Sequence, residues 1–311
     1  MTRRTFASLP LAAAAAAQPA PPRVPFCLFS KHLHWLPAAE AAAVARAQGY
    51  DGLDLTVRPG GHVLPERAAD DLPAAVEAVR KAGLEVPMVT TAIVDAASPH
   101  AVRIAETLRA LGIRRYRWGG FRYDLNRPLE PQLREMKKRV SELAAFNRSY
   151  GLCAMYHTHS GIGQVGASMW DLAQLLEGED PESVSVNYDI GHATVEGGFG
   201  GWIHSLRLLA PRIRGVALKD FLWARNPRGE WRPAWRPAGG GMVDFPRFFA
   251  LLKESGFAGP LQVHIEYPLG GADTGQPKLT LPREQVLAAM EKDARALRAL
   301  AAAAGLLTAA A

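Results

Sequence analysis

Three clusters of ionisable residues follow apolar runs of the sequence. They are His157-Thr158-His159, Asp189-Ile190-Gly191-His192 and His264-Ile265-Glu266. Imidazole and carboxylate groups together bind divalent metal ions, and they also transfer protons near neutral pH. If the fold brings the three clusters together, they predict a metal site or an acid–base site.

The rest of the chain alternates short apolar runs with helical patterns, which predicts a parallel sheet with helical crossovers. Predicted strands lie at residues 25–30, 52–57, 85–91, 114–118, 152–157, 183–189, 213–219 and 261–266. Predicted helices lie at residues 37–48, 72–82, 99–111, 129–150, 170–176, 200–209, 245–255 and 283–304. Eight such units predict an α/β fold, a single (β/α)8 TIM barrel over residues 23–311. The alternative is a doubly wound sheet, but no GxGxxG motif opens a helix after the first strand.

In such a barrel the carboxyl ends of the strands meet at one mouth, which is where barrel enzymes do chemistry. Side chains alternate between the two faces of a strand. In the last predicted strand Val263 and Ile265 pack outward, so His264 and Glu266 face the barrel interior. The same reasoning around the barrel predicts a polar ring at the mouth, formed by Lys31, Asp54, Arg58, His157, His159, Asp189, His192, Lys219, His264 and Glu266.

Some candidates have two interpretations that the sequence leaves open. His62 ends the turn Arg58-Pro59-Gly60-Gly61-His62, and it either completes that turn or lies over the mouth. Trp118 either stacks on a substrate or belongs to the core. His264 either ligates the metal directly or holds Glu266 in place. The long connector at residues 221–244 is rich in Trp, Arg and Pro, and it predicts either a sugar-stacking surface or an oligomer contact.

The N-terminus predicts export. Thr2-Arg3-Arg4-Thr5-Phe6 and the Ala-rich stretch after it are typical of a twin-arginine signal, so residues 1–22 are predicted to be removed and the protein to be periplasmic. The alternative is an Ala/Pro tail on a cytoplasmic protein. The apolar stretch is shorter than the about 20 residues that a membrane span needs, so no span is predicted.

The distribution of charge and the two cysteines argue against a nucleic-acid partner and against a disulfide. The net charge is +6, but positive and negative residues are interleaved, so no nucleic-acid partner is predicted. Cys27 and Cys153 both lie in predicted strands, which predicts buried free thiols rather than a disulfide.

Residues 24 to about 300 resemble the xylose isomerase-like barrel superfamily, whose members include sugar phosphate isomerases and epimerases. The motifs that carry the resemblance are Gly52-Leu53-Asp54-Leu55-Thr56-Val57-Arg58, Tyr156-His157-Thr158-His159-Ser160-Gly161, Asp189-Ile190-Gly191-His192, Val216-Ala217-Leu218-Lys219-Asp220 and His264-Ile265-Glu266-Tyr267. The resemblance implies one bound divalent ion, which in the family is Mn, Mg, Co or Zn, and a carbohydrate substrate.

Family positions carry over to this chain one by one. Asp189 and Glu266 match metal ligands of the family, and His192 matches a histidine that contacts substrate. His157 stands where the family has a glutamate, with His159 two residues on. Ala217 stands where the family has a ligand histidine. Of the two glutamates that epimerases of this type use as acid and base, Glu266 alone remains.

The resulting expectation is a metal-dependent carbohydrate isomerase or epimerase that abstracts a proton next to a carbonyl. The expected metal ligands are His157, His159, Asp189 and Glu266. The expected catalytic residues are Glu266, His157 and Lys219. The expected substrate contacts are His192, His62, Arg58, Lys31, Trp118 and His264.

Other functions remain open at this point. One is a lyase or dehydratase of 3-keto glycosides or keto-inositols, which needs one base, one acid and a carbonyl polariser. Another is a non-catalytic sugar-binding barrel whose metal site is degraded, which Ala217 favours. The resemblance also extends to DNA-cleaving AP endonucleases, but sparse basic patches and the export signal disfavour that activity. The oligomeric state, including a homo-oligomer, is open.

Overall fold

A computed structural model describes residues 23–307 of the chain. Eight parallel strands close into a barrel in the order β1-β10-β7-β6-β5-β4-β3-β2, which confirms the predicted (β/α)8 fold. The barrel strands are β1 (Phe26–Phe29), β2 (Gly52–Val57), β3 (Glu85–Thr91), β4 (Arg115–Trp118), β5 (Cys153–His157), β6 (Val184–Asp189), β7 (Ile213–Leu218) and β10 (Leu261–Val263). The last strand is shorter than predicted, so His264 and Glu266 lie just beyond its carboxyl end.

The described part of the chain contains nine α-helices. They are α1 (Ala38–Ala47), α2 (Ala68–Lys81), α3 (Ala101–Ala110), α4 (Leu129–Tyr150), α5 (Trp170–Leu176), α6 (Ile190–Gly197), α7 (Gly201–Leu209), α8 (Phe245–Glu254) and α9 (Arg283–Ala303). Helix α6 was not predicted, because glycine is unfavourable in helices and the segment ends in two of them. It begins directly after β6, where the Asp189 side chain accepts a hydrogen bond from the His192 amide at 3.0 Å.

The connector at residues 221–244 contains an antiparallel hairpin that the sequence did not predict. Its strands are β8 (Asp220–Arg225) and β9 (Trp231–Arg236), and Phe221 pairs with Trp235. The Trp235 ring lies 5.2 Å from the His192 ring and 4.5 Å from Lys219 Nζ. The hairpin therefore covers one side of the barrel mouth.

Inside the barrel an apolar layer lies below a polar one. Met88, Cys153 and Met155 form a small buried cluster within the strands. Above it, the amides of Asn187 and Gln262 bond to each other, at 2.9 and 3.1 Å. Side chains thus fill the interior up to the level at which the ionisable residues begin.

The two cysteines lie within the described residues, whereas the predicted signal does not. Cys27 and Cys153 are buried free thiols, as predicted. Within residues 23–307, no helix has the length and apolar character that a membrane crossing requires. The predicted signal at residues 1–22 lies outside the described residues, so export to the periplasm stays a prediction.

Candidate functional site

Four histidines lie side by side at the mouth of the barrel. The ring of His157 is stacked on that of His264 at 5.4 Å and meets the ring of His159 edge-on at 4.6 Å. The His159 ring is 5.2 Å from that of His192. Burial is the main cause that lowers the pKa of all four rings, to about 3 for His159. The four rings are therefore neutral at neutral pH.

The ammonium of Lys219 is the buried positive charge beside these rings. Its Nζ lies 3.0 Å from Asp189 Oδ2 and 2.7 Å from His192 Nε2. Because an ammonium only donates, His192 Nε2 accepts, and its Nδ1 donates to Ser160 Oγ at 2.7 Å. Burial raises the pKa of the Asp189 carboxyl, but the charge of Lys219, the neighbouring His192 and the hydrogen bonds from both together outweigh it, so the net shift is downward. Asp189 and Lys219 thus form a buried ion pair.

Gly191 gives Lys219 the space that it occupies. A Cβ at this position would lie 2.7 Å from Lys219 Cγ and 2.9 Å from the Lys219 carbonyl oxygen. We expect Gly191→Ala to displace Lys219 and to destabilise the fold by about 1–3 kcal/mol, as overpacking does. Thermal unfolding measures the stability. Gly201→Ala is the control, because a Cβ there meets nothing within 4 Å. Equal stability of the two variants would contradict this close approach.

Glu266 is the carboxylate that opens to the mouth. Its Oε1 lies 3.0 Å from Lys31 Nζ, and its side chain is 26% exposed. Burial raises the pKa of its carboxyl, but Lys219, Lys31 and His32, with the hydrogen bond from Lys31, together outweigh this, so the net shift is downward. His32 fixes the segment, because its Nε2 accepts from the Ile265 amide at 2.9 Å and its Nδ1 donates to the Ala272 carbonyl at 3.0 Å. Glu266 is therefore an ionised carboxylate on a braced segment.

Two arginines face the same mouth from the other side. The guanidinium carbons of Arg58 and Arg117 lie 5.5 and 5.7 Å from the centre of the Phe29 ring. Arg117 Nη2 contacts His159 Nε2 at 3.3 Å. Burial, followed by the charge of Arg58, lowers the pKa of Arg117 to about 10, so it stays charged. Asp54 lies below them and accepts hydrogen bonds from Thr90 Oγ1 at 3.0 and 2.8 Å.

Because of Asp54, we expect the stability of the protein to depend on pH. Burial raises the pKa of its carboxyl from 3.8 to about 7. The folded state therefore binds a proton that the unfolded state releases between these pH values, and the free energy of unfolding falls as pH rises through this window. The change is about 1.4 kcal/mol per pKa unit. Urea unfolding at pH 4 to 8 should show wild type losing stability relative to Asp54→Asn. If the free energies of unfolding of the two proteins changed in parallel with pH, the raised pKa of Asp54 would be contradicted. Asp70→Asn, at an exposed aspartate, is the control and should follow wild type.

Most of the predicted site residues lie at this mouth. His157, His159, Asp189, His192, Lys219 and His264 lie in one cluster through the contacts above, and Lys31, Arg58 and Glu266 adjoin it. His62 lies to one side, where its ring meets that of His34 at 5.0 Å. Trp118 is a correction, because it is 1% exposed among Phe121 and Tyr156 and offers no ring face to a ligand.

The sequence predicts only part of the role of some residues that the structure places at the site. Arg117 and Trp118 together predict a cation and a stacking ring, and the structure keeps the cation at the mouth, since Tyr116 and Trp118 are both buried in the outer core. Ser160 and Trp235 are others. Their positions depend on a loop and on a hairpin, for which the chain carries no periodic signal.

The predicted metal ligands do not gather as expected. Ligand atoms of His157, Asp189 and His264 lie within 4.8 Å of one another. Asp189 Oδ2 and His264 Nε2 are both buried without a hydrogen bond of regular geometry. Glu266 instead pairs with Lys31, and His159 lies beside Arg117. The three converging residues are the ones that would hold an ion.

The charge and proton positions around these three donors do not fit a divalent cation. The ammonium of Lys219 already lies 3.0 Å from Asp189 Oδ2. Asn187 Nδ2 donates to His157 Nδ1 at 3.0 Å, which leaves the ring proton on Nε2, the atom that faces Asp189 at 3.4 Å. The charges of Arg117 and Lys219 also contribute to the low pKa of His157 and His264, so they oppose added positive charge there. In this arrangement the cation beside Asp189 is Lys219.

The chain is similar in sequence to curated proteins and similar in fold to solved structures. Inosose dehydratase of Mesomycoplasma hyopneumoniae (strain 7448) is 28% identical over 146 residues, which are 43% of this chain and 47% of that protein. The match thus spans about half of the relative. The structure of a xylose isomerase domain protein from Planctomyces limnophilus aligns with a TM-score of 0.62 at 18% identity, over 90% of this chain and 100% of that one.

An L-ribulose 3-epimerase structure aligns with a TM-score of 0.62 at 16% identity, over 92% of this chain and 98% of that chain. Structural matches at such low identity bear on the fold alone. The sequence of residues 42–300 matches the family described as xylose isomerase-like TIM barrel. Because this match covers most of the chain and the barrel closes as that family requires, the protein belongs to the xylose isomerase-like TIM barrel family.

Proposed function

We propose that the protein is an enzyme that removes a proton from the carbon next to a carbonyl group of a carbohydrate-like keto substrate. One observation carries the proposal. The ionised carboxylate of Glu266 faces the mouth close enough to Lys219 that this ammonium is the leading charge effect on its pKa. A fixed carboxylate base and a fixed cation for the carbonyl oxygen are what enolisation requires.

In this mechanism Glu266 takes the proton. The electron pair of the broken C–H bond forms a C=C bond, and the carbonyl π electrons move onto the oxygen. Lys219 stabilises that oxygen. Two of its three N–H groups face Asp189 and His192, at 3.0 and 2.7 Å, which leaves the third for the substrate. His157 and His192 hold the ion pair in place, rather than transferring protons.

The arrangement favours reactions that need a single base. Epimerisation through two bases needs a second carboxylate on the opposite face of the substrate. Asp189 and Asp54 are fully buried, one paired with Lys219 and the other bonded to Thr90, whereas the side chain of Glu266 is 26% exposed. Loss of a β-hydroxyl needs no second base, because Glu266 can return its proton to the departing oxygen, so that water leaves and the carbonyl reforms. The partial match to an inosose dehydratase supports such a dehydration.

A second candidate is the metal-dependent isomerase or epimerase that the sequence predicts. The observation that favours it is that two buried atoms next to His157, Asp189 Oδ2 and His264 Nε2, lack a hydrogen bond of regular geometry. Metal analysis of protein purified without chelator distinguishes the two candidates. A stoichiometric divalent ion that is lost in Asp189→Ala would support the metal-dependent form, whereas wild type without metal supports Lys219 as the resident cation.

Solvent deuterium exchange tests the proposed function itself. Keto sugars, 3-keto glycosides and keto-inositols are incubated with the protein in D2O and followed by proton NMR. We expect exchange at the carbon next to the carbonyl in at least one class, with an unsaturated product where water is lost. Calorimetric binding of these compounds without exchange or turnover would instead support a non-catalytic sugar-binding barrel.

A further inference from the structure

We propose that the substrate carries an oxyanion, expected to be a carboxylate, and that Arg58 and Arg117 bind it beside the Phe29 ring. This inference rests on the proposed function and names the substrate class for the same mouth. Three cations surround the Phe29 ring. Lys31 Nζ lies 5.6 Å from the centre of the ring, and the guanidinium groups of Arg58 and Arg117 lie at similar distances.

Neither arginine has a carboxylate partner. Within residues 23–307, no carboxylate oxygen lies within 4.0 Å of a nitrogen of Arg58 or Arg117. The two nearby carboxylates are otherwise engaged, Asp54 by Thr90 and Glu266 by Lys31. Among the described residues, the side chain of Arg117 has one hydrogen-bonding contact, which is with the neutral imidazole of His159.

The two arginines share one mouth without a carboxylate on either. Two other half-buried arginines do meet carboxylates, since Arg298 pairs with Asp51 at 3.0 Å and Arg214 with Glu182 at 2.8 Å. Charged groups are seldom buried without a partner, because the loss of hydration is costly. Here two like charges are half-buried close enough that Arg58 lowers the pKa of Arg117. A ligand that brings negative charge would relieve both penalties.

The chemistry of the pair specifies the ligand. A guanidinium presents parallel N–H groups in a fork that matches the two oxygens of a carboxylate, and it also binds phosphate. The pair adjoins the reacting groups, because Arg117 contacts His159 and the His159 ring lies 5.2 Å from that of His192, the partner of Lys219. One substrate can therefore place its carbonyl at Lys219 and its anionic end between the arginines.

Calorimetric binding tests the inference without requiring turnover. The probes are D-gluconate, D-glucose 6-phosphate and D-glucose, which differ in the charged group. We expect gluconate to bind more tightly than glucose, and we expect Arg117→Met and Arg58→Met each to weaken gluconate by about 10- to 100-fold, the range for hydrogen bonds to charged groups. Glucose 6-phosphate binding more tightly than gluconate would assign the oxyanion to phosphate.

Controls separate charge from fold. Arg46→Met removes an exposed arginine on α1 and should leave gluconate binding unchanged. Arg117→Lys keeps the charge without the fork and should recover part of the affinity, which a purely structural role would not predict. Anions that bind no more tightly than glucose, or affinities unchanged in both methionine variants, would overturn the inference. Deuterium exchange that is as fast with neutral keto sugars as with carboxylate-bearing ones, and insensitive to Arg117→Met for both, would overturn it while leaving the proposed function intact.

Discussion

Replacing Lys219 by methionine is expected to lower kcat/KM by about 10²- to 10³-fold, the loss typical when one donor to a developing oxyanion is removed. Methionine keeps most of the length and apolar stem of lysine and removes the ammonium. The loss should fall mainly on kcat, because the oxygen becomes fully negative only in the transition state. Steady-state kinetics on the substrate that shows deuterium exchange measures the effect.

The same substitution also leaves Asp189 buried and unpaired, which should cost about 3–5 kcal/mol of stability. The double variant Lys219→Met/Asp189→Asn separates the two effects. Asparagine is as good a helix N-cap as aspartate, so the start of α6 is preserved. We expect the double variant to regain stability in thermal unfolding but to stay inactive. Recovery of activity together with stability would show that Lys219 is structural.

Glu266→Gln is expected to lower kcat by about 10²- to 10⁴-fold, the contribution of a positioned general base. Glutamine has the same shape but does not take up a proton at neutral pH. Stability should change little, because the side chain is a quarter exposed and Lys31 can still donate to the amide oxygen. Substrate binding by calorimetry should also persist, so that the loss appears in turnover and in deuterium exchange.

Glu77→Gln provides the matched control for this variant. Glu77 lies on the exposed face of α2, where it pairs with Lys81 at 2.7 Å with both side chains largely exposed. The same chemical change there should leave kinetics and stability as in wild type. If Glu266→Gln retained wild-type exchange, a histidine or another group would have to be the base.

Local sequence patterns predict the frame of the site well. Strand alternation is enough to place Asn187 and Asp189 inside the barrel on β6, and to place Ala217 inside while Val216 and Leu218 join the outer core. This works because a buried parallel strand has one apolar face against the helices, so the face of each polar residue follows from its position.

The partners of each charged group were not predictable in the same way. Lys31 and Glu266 are 235 positions apart, yet their contact removes Glu266 from the expected metal set. Similarly, the choice of Lys219 as partner of Asp189 depends on the space that Gly191 leaves. Such pairings depend on distances across the barrel, for which periodicity carries no information.

The test closest to the central claim is deuterium exchange by protein that has been treated with chelator and shown by elemental analysis to hold no divalent metal. If Glu266 is the base and Lys219 the resident cation, this protein exchanges the proton next to the carbonyl of a keto carbohydrate at the untreated rate, and Glu266→Gln does not. Exchange that vanishes on metal removal and returns with Mn or Zn would contradict the account, as would its complete absence from every substrate class.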